Sequence, residues 1–242
     1  MKKATLPARP NRLTALLSPR ERDRLFDSCT AVHLALGDVL CHRGDRLRHV
    51  YFPTNSFISL ITQNEGEPGL EVGLIGDEGM LGAALVLGVD RSPVHALVQG
   101  PGAAWRMSTS AFRGQLAERS GLRSIIDKYL YVVMAQLATS SACLRFHEIG
   151  PRLARWLLMT QDRAHGDTFH VTQEFLSHML GVRRVGITVA ASALQNRGVI
   201  AYARGELHIL DREGLEAAAC SCYASDSGVY SELLDSRRKR RS

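Results

Sequence analysis

Hydrophobic and polar positions divide the chain into three regimes with different periods. Between residues 30 and 107, short apolar runs at 31–36, 39–41, 50–52, 57–62, 70–75 and 95–99 alternate with glycine-containing turns. Those turns include Leu36-Gly37-Asp38, Arg43-Gly44-Asp45, Glu65-Gly66-Glu67 and Ile75-Gly76-Asp77. Short strands at near-regular spacing predict a compact all-β barrel or jelly roll, with 80–87 as a short helical insertion. Ahead of it, Ser18-Pro19-Arg20-Glu21 joins a capping-box signal to proline at the first helical position, predicting a helix to about residue 27. Residues 1–10 read as a loose leader.

From 122 to 144 the spacing changes to three and four. Leu122, Ile126, Tyr129, Val133, Leu137, Ser140 and Leu144 share one stripe, which predicts the longest helix of the chain. The stripe is wider than one neighbouring barrel needs, so Ile126, Tyr129, Val133, Leu137 and Ser140 are expected to form a two-stranded dimer seam. The alternative is a helix packed only on its own barrel. Gly150-Pro151 then breaks the chain, and RLARWLLM at 152–159 begins a further helix.

The third regime is VTQEFLSHMLGVRRVGITVAASALQNRGVI, residues 171–200. Thr172 can cap a helix, and Phe175, Leu176, Met179 and Leu180 give that helix an apolar face. Gly181 ends it, because glycine enters the left-handed conformation most cheaply. A second periodic run follows Arg183 and Arg184: Val185, Val189, Ala190, Ala193 and Leu194. Two short helices joined at a glycine predict a helix-turn-helix. Next, AYARGELHILD reads as a hairpin with Arg204 and Gly205 at its tip. A hairpin placed directly after the second helix predicts a winged helix whose tip can touch phosphates.

Composition changes this picture little. A hydrophobic share of 45% and a charged share of 22% in 242 residues are ordinary for a globular protein. No apolar run approaches the roughly 20 residues that span a membrane. The basic N-terminus lacks a signal-peptide core, so the expected location is cytoplasmic with no membrane partner. A net charge of +6 favours an anionic partner, although part of it lies in the basic run 237–241. Cysteines at 29, 41, 143, 220 and 222 form no paired CxxC motif, so neither a disulfide framework nor a metal site is predicted. Cys220 and Cys222 are too close within a predicted helix to pair with each other. His33, His42, His49 and His95 are isolated, and no nucleophile elbow or glycine-rich phosphate loop occurs. The chain is therefore read as non-enzymatic, with no catalytic residue and no cofactor.

The order barrel, long helix, winged helix resembles the cyclic-AMP-receptor/Fnr (Crp/Fnr) family of bacterial transcription regulators. The resemblance is carried by RLARWLL, TQEFLSHMLGVRR, RGVI and ILDREGLE, and more loosely by GDEGMLGAALVLGVDRSPVHALV. It implies an α+β fold: an N-terminal cyclic-nucleotide-binding-like β-roll (jelly roll), a long dimerisation helix and a C-terminal winged helix-turn-helix. The corresponding divisions are 1–120, 121–147, 148–220 and a basic tail at 221–242. It implies double-stranded DNA, a second copy of the chain and RNA polymerase as partners. It places Arg183 and Arg184 at the start of the readout helix, where arginine forks onto guanine. Thr188 lies one turn on, Thr172 and Gln173 face phosphates, and Arg204 lies in the wing.

The same resemblance puts an effector site at Gly79, Met80, Arg91 and Ser92. Met80 replaces the glutamate that holds a ribose in cyclic-nucleotide binders, which argues against cyclic AMP and leaves the effector open. The cyclic-AMP receptor carries a glutamate and a second arginine where this chain has Val185 and Val189, so a different operator is expected. Cys29 and Cys41 alone do not make the N-terminal iron–sulfur centre of the Fnr type. The rival reading is a small-molecule-binding signalling module that acts through protein partners.

Overall fold

The computed structural model describes residues 10–65, 69–118 and 120–234, with the side chain of residue 120 left aside. The leader at 1–9, the turn centred on Gly66 and the basic run 237–241 lie outside the described residues. Helix α1 (Pro19–Asp27) starts as its sequence predicts: Ser18 Oγ accepts from the Glu21 N–H, and the Glu21 carboxylate accepts from the Ser18 N–H.

Seven strands follow: β1 (Thr30–Leu34), β2 (Val39–Cys41), β3 (His49–Pro53), β4 (Phe57–Thr62), β5 (Leu70–Ile75), β6 (His95–Gly100) and β7 (Gly102–Ser108). They form two antiparallel sheets, β1-β7-β3 and β2-β6-β4-β5, which enclose a β-roll core. Phe52, Ile58, Met80, Val98 and Met107 fill it. The expected helical insertion is a 3-10 segment, Ala83–Leu87.

Helices α2 (Thr109–Glu118) and α3 (Ser120–Phe146) come next, then α4 (Ile149–Ala164). The break falls at His147-Glu148 rather than at Gly150-Pro151. Pro151 sits in the first turn of α4, where its missing N–H would have no helical acceptor. The remaining elements are β8 (Thr168–His170), α5 (Gln173–Leu180), α6 (Arg184–Asn196), β9 (Ile200–Ala203), β10 (Glu206–Ile209), α7 (Arg212–Ala218) and α8 (Cys222–Leu234). Strands β8, β10 and β9 pair in that order as a small antiparallel sheet. Among the described residues no helix is long and apolar enough to cross a membrane.

Two expectations need correction. The segment from 221 is not all tail, because α8 runs back along α3 and packs Val229, Tyr230, Leu233 and Leu234 into the barrel-side core. That packing also overturns part of the expected dimer seam. Ile126 and Tyr129 are fully buried in the chain's own core, and Val133 is partly buried against it. Ser140 is half-buried, with its hydroxyl 3.3 Å from the Arg155 guanidinium. Of the five, only Leu137 is exposed. The outward apolar face of α3 is instead Tyr131 (60% exposed), Met134 (66%), Leu137 and Leu144.

Candidate nucleic-acid interface

The helix pair is built by local rules. Thr172 Oγ1 accepts from the Phe175 N–H at 3.0 Å and caps α5. Gly181 ends α5 at φ +62, the left-handed region in which a Cβ is strained. Leu176, Met179 and Leu180 of α5 and Ile187, Ala190, Ala191 and Leu194 of α6 bury one shared core with Leu153, Trp156, Leu157 and Leu158 of α4. In α6 the buried period therefore runs through Ile187, not through Val185 and Val189. Those two valines, although part of the periodic apolar run, are each 66% exposed, at the positions that the resemblance gave to the readout side. The sequence spacing fits either face, because valines also lie where the groove-facing side of such a helix would be.

The exposed side of α6 presents Arg184, Val185, Thr188, Val189 and Ser192, with Arg183 at its N-cap. Ser192 was not singled out from the sequence, although its i+4 and i+7 spacing from Thr188 and Val185 marks the same side. Thr188 Oγ1 lies 2.8 Å from Gln173 Oε1 and 3.2 Å from the Arg184 carbonyl. Thr188 and Gln173 thus tie the two helix starts together, a positioning contact that leaves the Gln173 amide N–H groups free of that bond. In the wing, Arg204 (φ +52) and Gly205 (φ +84) make the two left-handed positions of a tight hairpin turn, with Arg204 exposed. Tyr202 anchors the wing by donating to the Val171 carbonyl at 2.7 Å.

Residues 151–218 match the family model of the Crp-like helix-turn-helix domain. Over this segment the chain is similar to that domain.

Solved structures extend the likeness to the whole fold. FixK2 from Bradyrhizobium japonicum superposes with a TM-score of 0.67 at 11% identity, over 79% of this chain and 98% of that one. The c-di-GMP-responsive global regulator CLP of Xanthomonas campestris gives 0.64 at 16%, over 79% and 99%. A CRP-family transcriptional regulator from Thermus thermophilus gives 0.65 at 16%, over 78% and 96%. Comparison with curated protein sequences gives no match. The chain shares the fold of these structures, a β-roll and a long helix ahead of a winged helix-turn-helix.

The four expected effector residues are not brought together around a cavity. Met80 is buried in the barrel core. The Gly79 carbonyl accepts from the buried Asn11 amide at 2.9 Å, and a Cβ on Gly79 would meet the Tyr129 hydroxyl. Arg91, at the surface, donates to the Gly44 carbonyl at 2.7 Å, and the buried Ser92 donates to the Val94 carbonyl at 2.7 Å. Two barrel cavities are lined by other residues: one by Cys41, Asp45, Arg46 and Tyr51, the other by His33, Asp38 and Arg106.

The Crp-like domain is docked against the barrel rather than hung from it. Glu71 on β5 accepts from Ser59 at 2.5 Å and from the Trp156 indole of α4 at 2.8 Å. Burial raises its carboxyl to about 7, and the Ser59 and Trp156 donors oppose that rise. Arg163 of α4 pairs with Glu78 at 2.6 Å, both side chains nearly buried.

The expectation of no metal-ligating group is also revised. Cys143, His147, Cys220 and Cys222 place one ligand atom each within 4.8 Å of one another. Cys143 and His147 lie four apart at the end of α3, a visible spacing, but their meeting with Cys220 and Cys222 depends on the path of α7 and α8.

Proposed function

We propose that this chain is a sequence-specific DNA-binding transcription regulator that engages a two-fold symmetric site as a homodimer. The reading rests above all on the exposed first turns of α6, where Arg183 and Arg184 stand beside a bare side of Val185, Thr188, Val189 and Ser192. In a helix-turn-helix, those turns enter the major groove. Arginine forks onto guanine, and an exposed valine suits the thymine methyl group. Thr172, Gln173 and the wing-tip Arg204 flank that surface and contact phosphates, which set register rather than sequence.

The dimer forms along the exposed stripe of α3, Tyr131, Met134, Leu137 and Leu144, so that the two α6 helices read successive major grooves about 34 Å apart. RNA polymerase is the further partner of a regulator so placed. The effector is not cyclic AMP: Met80 supplies apolar packing where a carboxylate would be needed, and Arg91 and Ser92 bond to backbone carbonyls of the barrel.

Selection of genomic fragments by the full-length protein at physiological salt, followed by sequencing, tests the reading. The expected result is enrichment of a limited set of fragments sharing a symmetric sequence. Uniform recovery of all fragments would overturn it.

A further inference from the structure

Outside the DNA-facing surface, the densest unexplained chemistry lies where α3 ends and α8 begins. The His147 N–H still donates to the Cys143 carbonyl at 3.1 Å, so helical spacing continues to His147 and both side chains project to one side. From the opposite direction come Cys220, in the α7–α8 connection, and Cys222, the first residue of α8. The Cys220 N–H donates to the Pro151 carbonyl at 3.4 Å, and its own carbonyl accepts from the Tyr223 N–H at 3.2 Å. The first bond holds the connection against the start of α4, and the second begins α8 directly after it. The three thiols form a buried cluster of their own.

We propose that Cys143, His147, Cys220 and Cys222 bind one thiophilic divalent cation of the zinc class, tying the end of α3 to the α7–α8 junction. Tetrahedral zinc with bonds of about 2.3 Å to sulfur and about 2.0–2.1 Å to nitrogen sets sulfurs about 3.8 Å apart and sulfur about 3.6 Å from nitrogen. Here Cys143 Sγ lies 3.6 Å from Cys220 Sγ, and Cys222 Sγ lies 3.5 Å from His147 Nδ1. No ligand pair exceeds 4.8 Å, so one ion needs only small contractions to take all four. A multi-iron cluster would spread its ligands around a larger core. A Cys143–Cys220 disulfide would need closure to about 2.0 Å and would leave Cys222 and His147 unused.

Three sulfurs and one imidazole fill a tetrahedron and leave no place for a reacting water, so the site is structural rather than catalytic. Three thiolates around a dication carry one net negative charge. The charges of Arg152 and Arg155 act on Cys143 and Cys220 and offset it. Arg152 also donates to the Leu180 carbonyl of α5, and Arg155 to Asp226 of α8 at 2.7 Å. The ion therefore locks the joint at His147-Glu148, through which α3 sets the direction of the Crp-like domain. Metal binding itself stands independently of the DNA-binding reading.

The test uses the full-length chain, stripped with chelator under reducing conditions and titrated with Co2+ and then Zn2+. The expected result is about one Co2+ per chain with the visible bands of tetrahedral thiolate coordination, bleached when Zn2+ displaces it. Cys220→Ser/Cys222→Ser should lose the bands. His147→Cys should keep them with stronger sulfur-to-cobalt charge transfer, which separates lost coordination from lost folding. Absence of tetrahedral bands in the reduced wild-type protein would overturn the proposal. So would bands that survive in the double serine variant.

Discussion

Arg184 and Val185 are neighbours of opposite chemistry on one exposed turn, and at the scale of single residues that contrast carries the expected readout. Arg184→Ala should remove a bidentate base contact, lowering the ratio of operator to random-DNA affinity by about 5- to 150-fold, or about 1–3 kcal/mol. The oligomeric state should not change. Competition mobility shifts check it, and an unchanged ratio would remove Arg184 from the readout. Glu71 makes a different prediction, in pH. Its folded carboxyl titrates near 7, above its ordinary value of 4.5. The folded protein therefore holds more protons than the unfolded chain in that window, and stability falls as pH rises from about 4.5 through about 7. Glu71→Gln removes that loss. Because Glu71 keeps intermediate exposure, the gain at pH 8 should be on the order of 1 kcal/mol, about 2–4 °C in thermal midpoint. The difference should shrink at pH 5, and an equal midpoint shift at both pH values would contradict it.

At the scale of elements, α3 decides most. It has apolar residues on two sides: Leu122, Ile126, Tyr129 and Val132 face the barrel and α8, while Tyr131, Met134, Leu137 and Leu144 face outward. A charge on the outward side should break the proposed dimer without unfolding the chain, because the helix keeps its inner packing. Met134→Glu is expected to sediment as a monomer with an unchanged far-ultraviolet spectrum. A variant that remained dimeric would move the seam elsewhere. The stripe read from spacing merged these two sides, because residues three or four apart can follow either one, and only the position of α8 tells them apart. The helix-turn-helix was more legible. Its cap at Thr172, its stop at Gly181 and its hairpin after Ile200 are each short-range signals, and each occurs where the sequence places it.

For the whole molecule, the helix-turn-helix domain and the barrel share ties that a linker would not need. Glu71 with Trp156 and Glu78 with Arg163 join the barrel to α4, and Asp226 with Arg155 joins α8 to α4. The contacts of β4 and β5 with α4 and α5 give a change in the barrel a direct path to the helix-turn-helix. Glu78→Ala should leave the Arg163 charge nearly buried without its partner. Breaking such a pair costs about 3–5 kcal/mol, which predicts a fall in thermal midpoint on the order of 10 °C. Calorimetry measures it, and a midpoint within about 2 °C of wild type would mean that the two bodies part freely.

The sequence by itself determined the order of the elements, the β-roll, the winged helix and the two arginines at the start of α6. Turns, caps and periodicities act over a few residues and need no partner. Only the tertiary structure decided which side of α3 points outward and that α8 replaces most of the expected tail. It alone brought Cys143 and His147 to Cys220 and Cys222. Each of these depends on which distant segment covers a given face, and 77 residues separate Cys143 from the sulfur it approaches most closely.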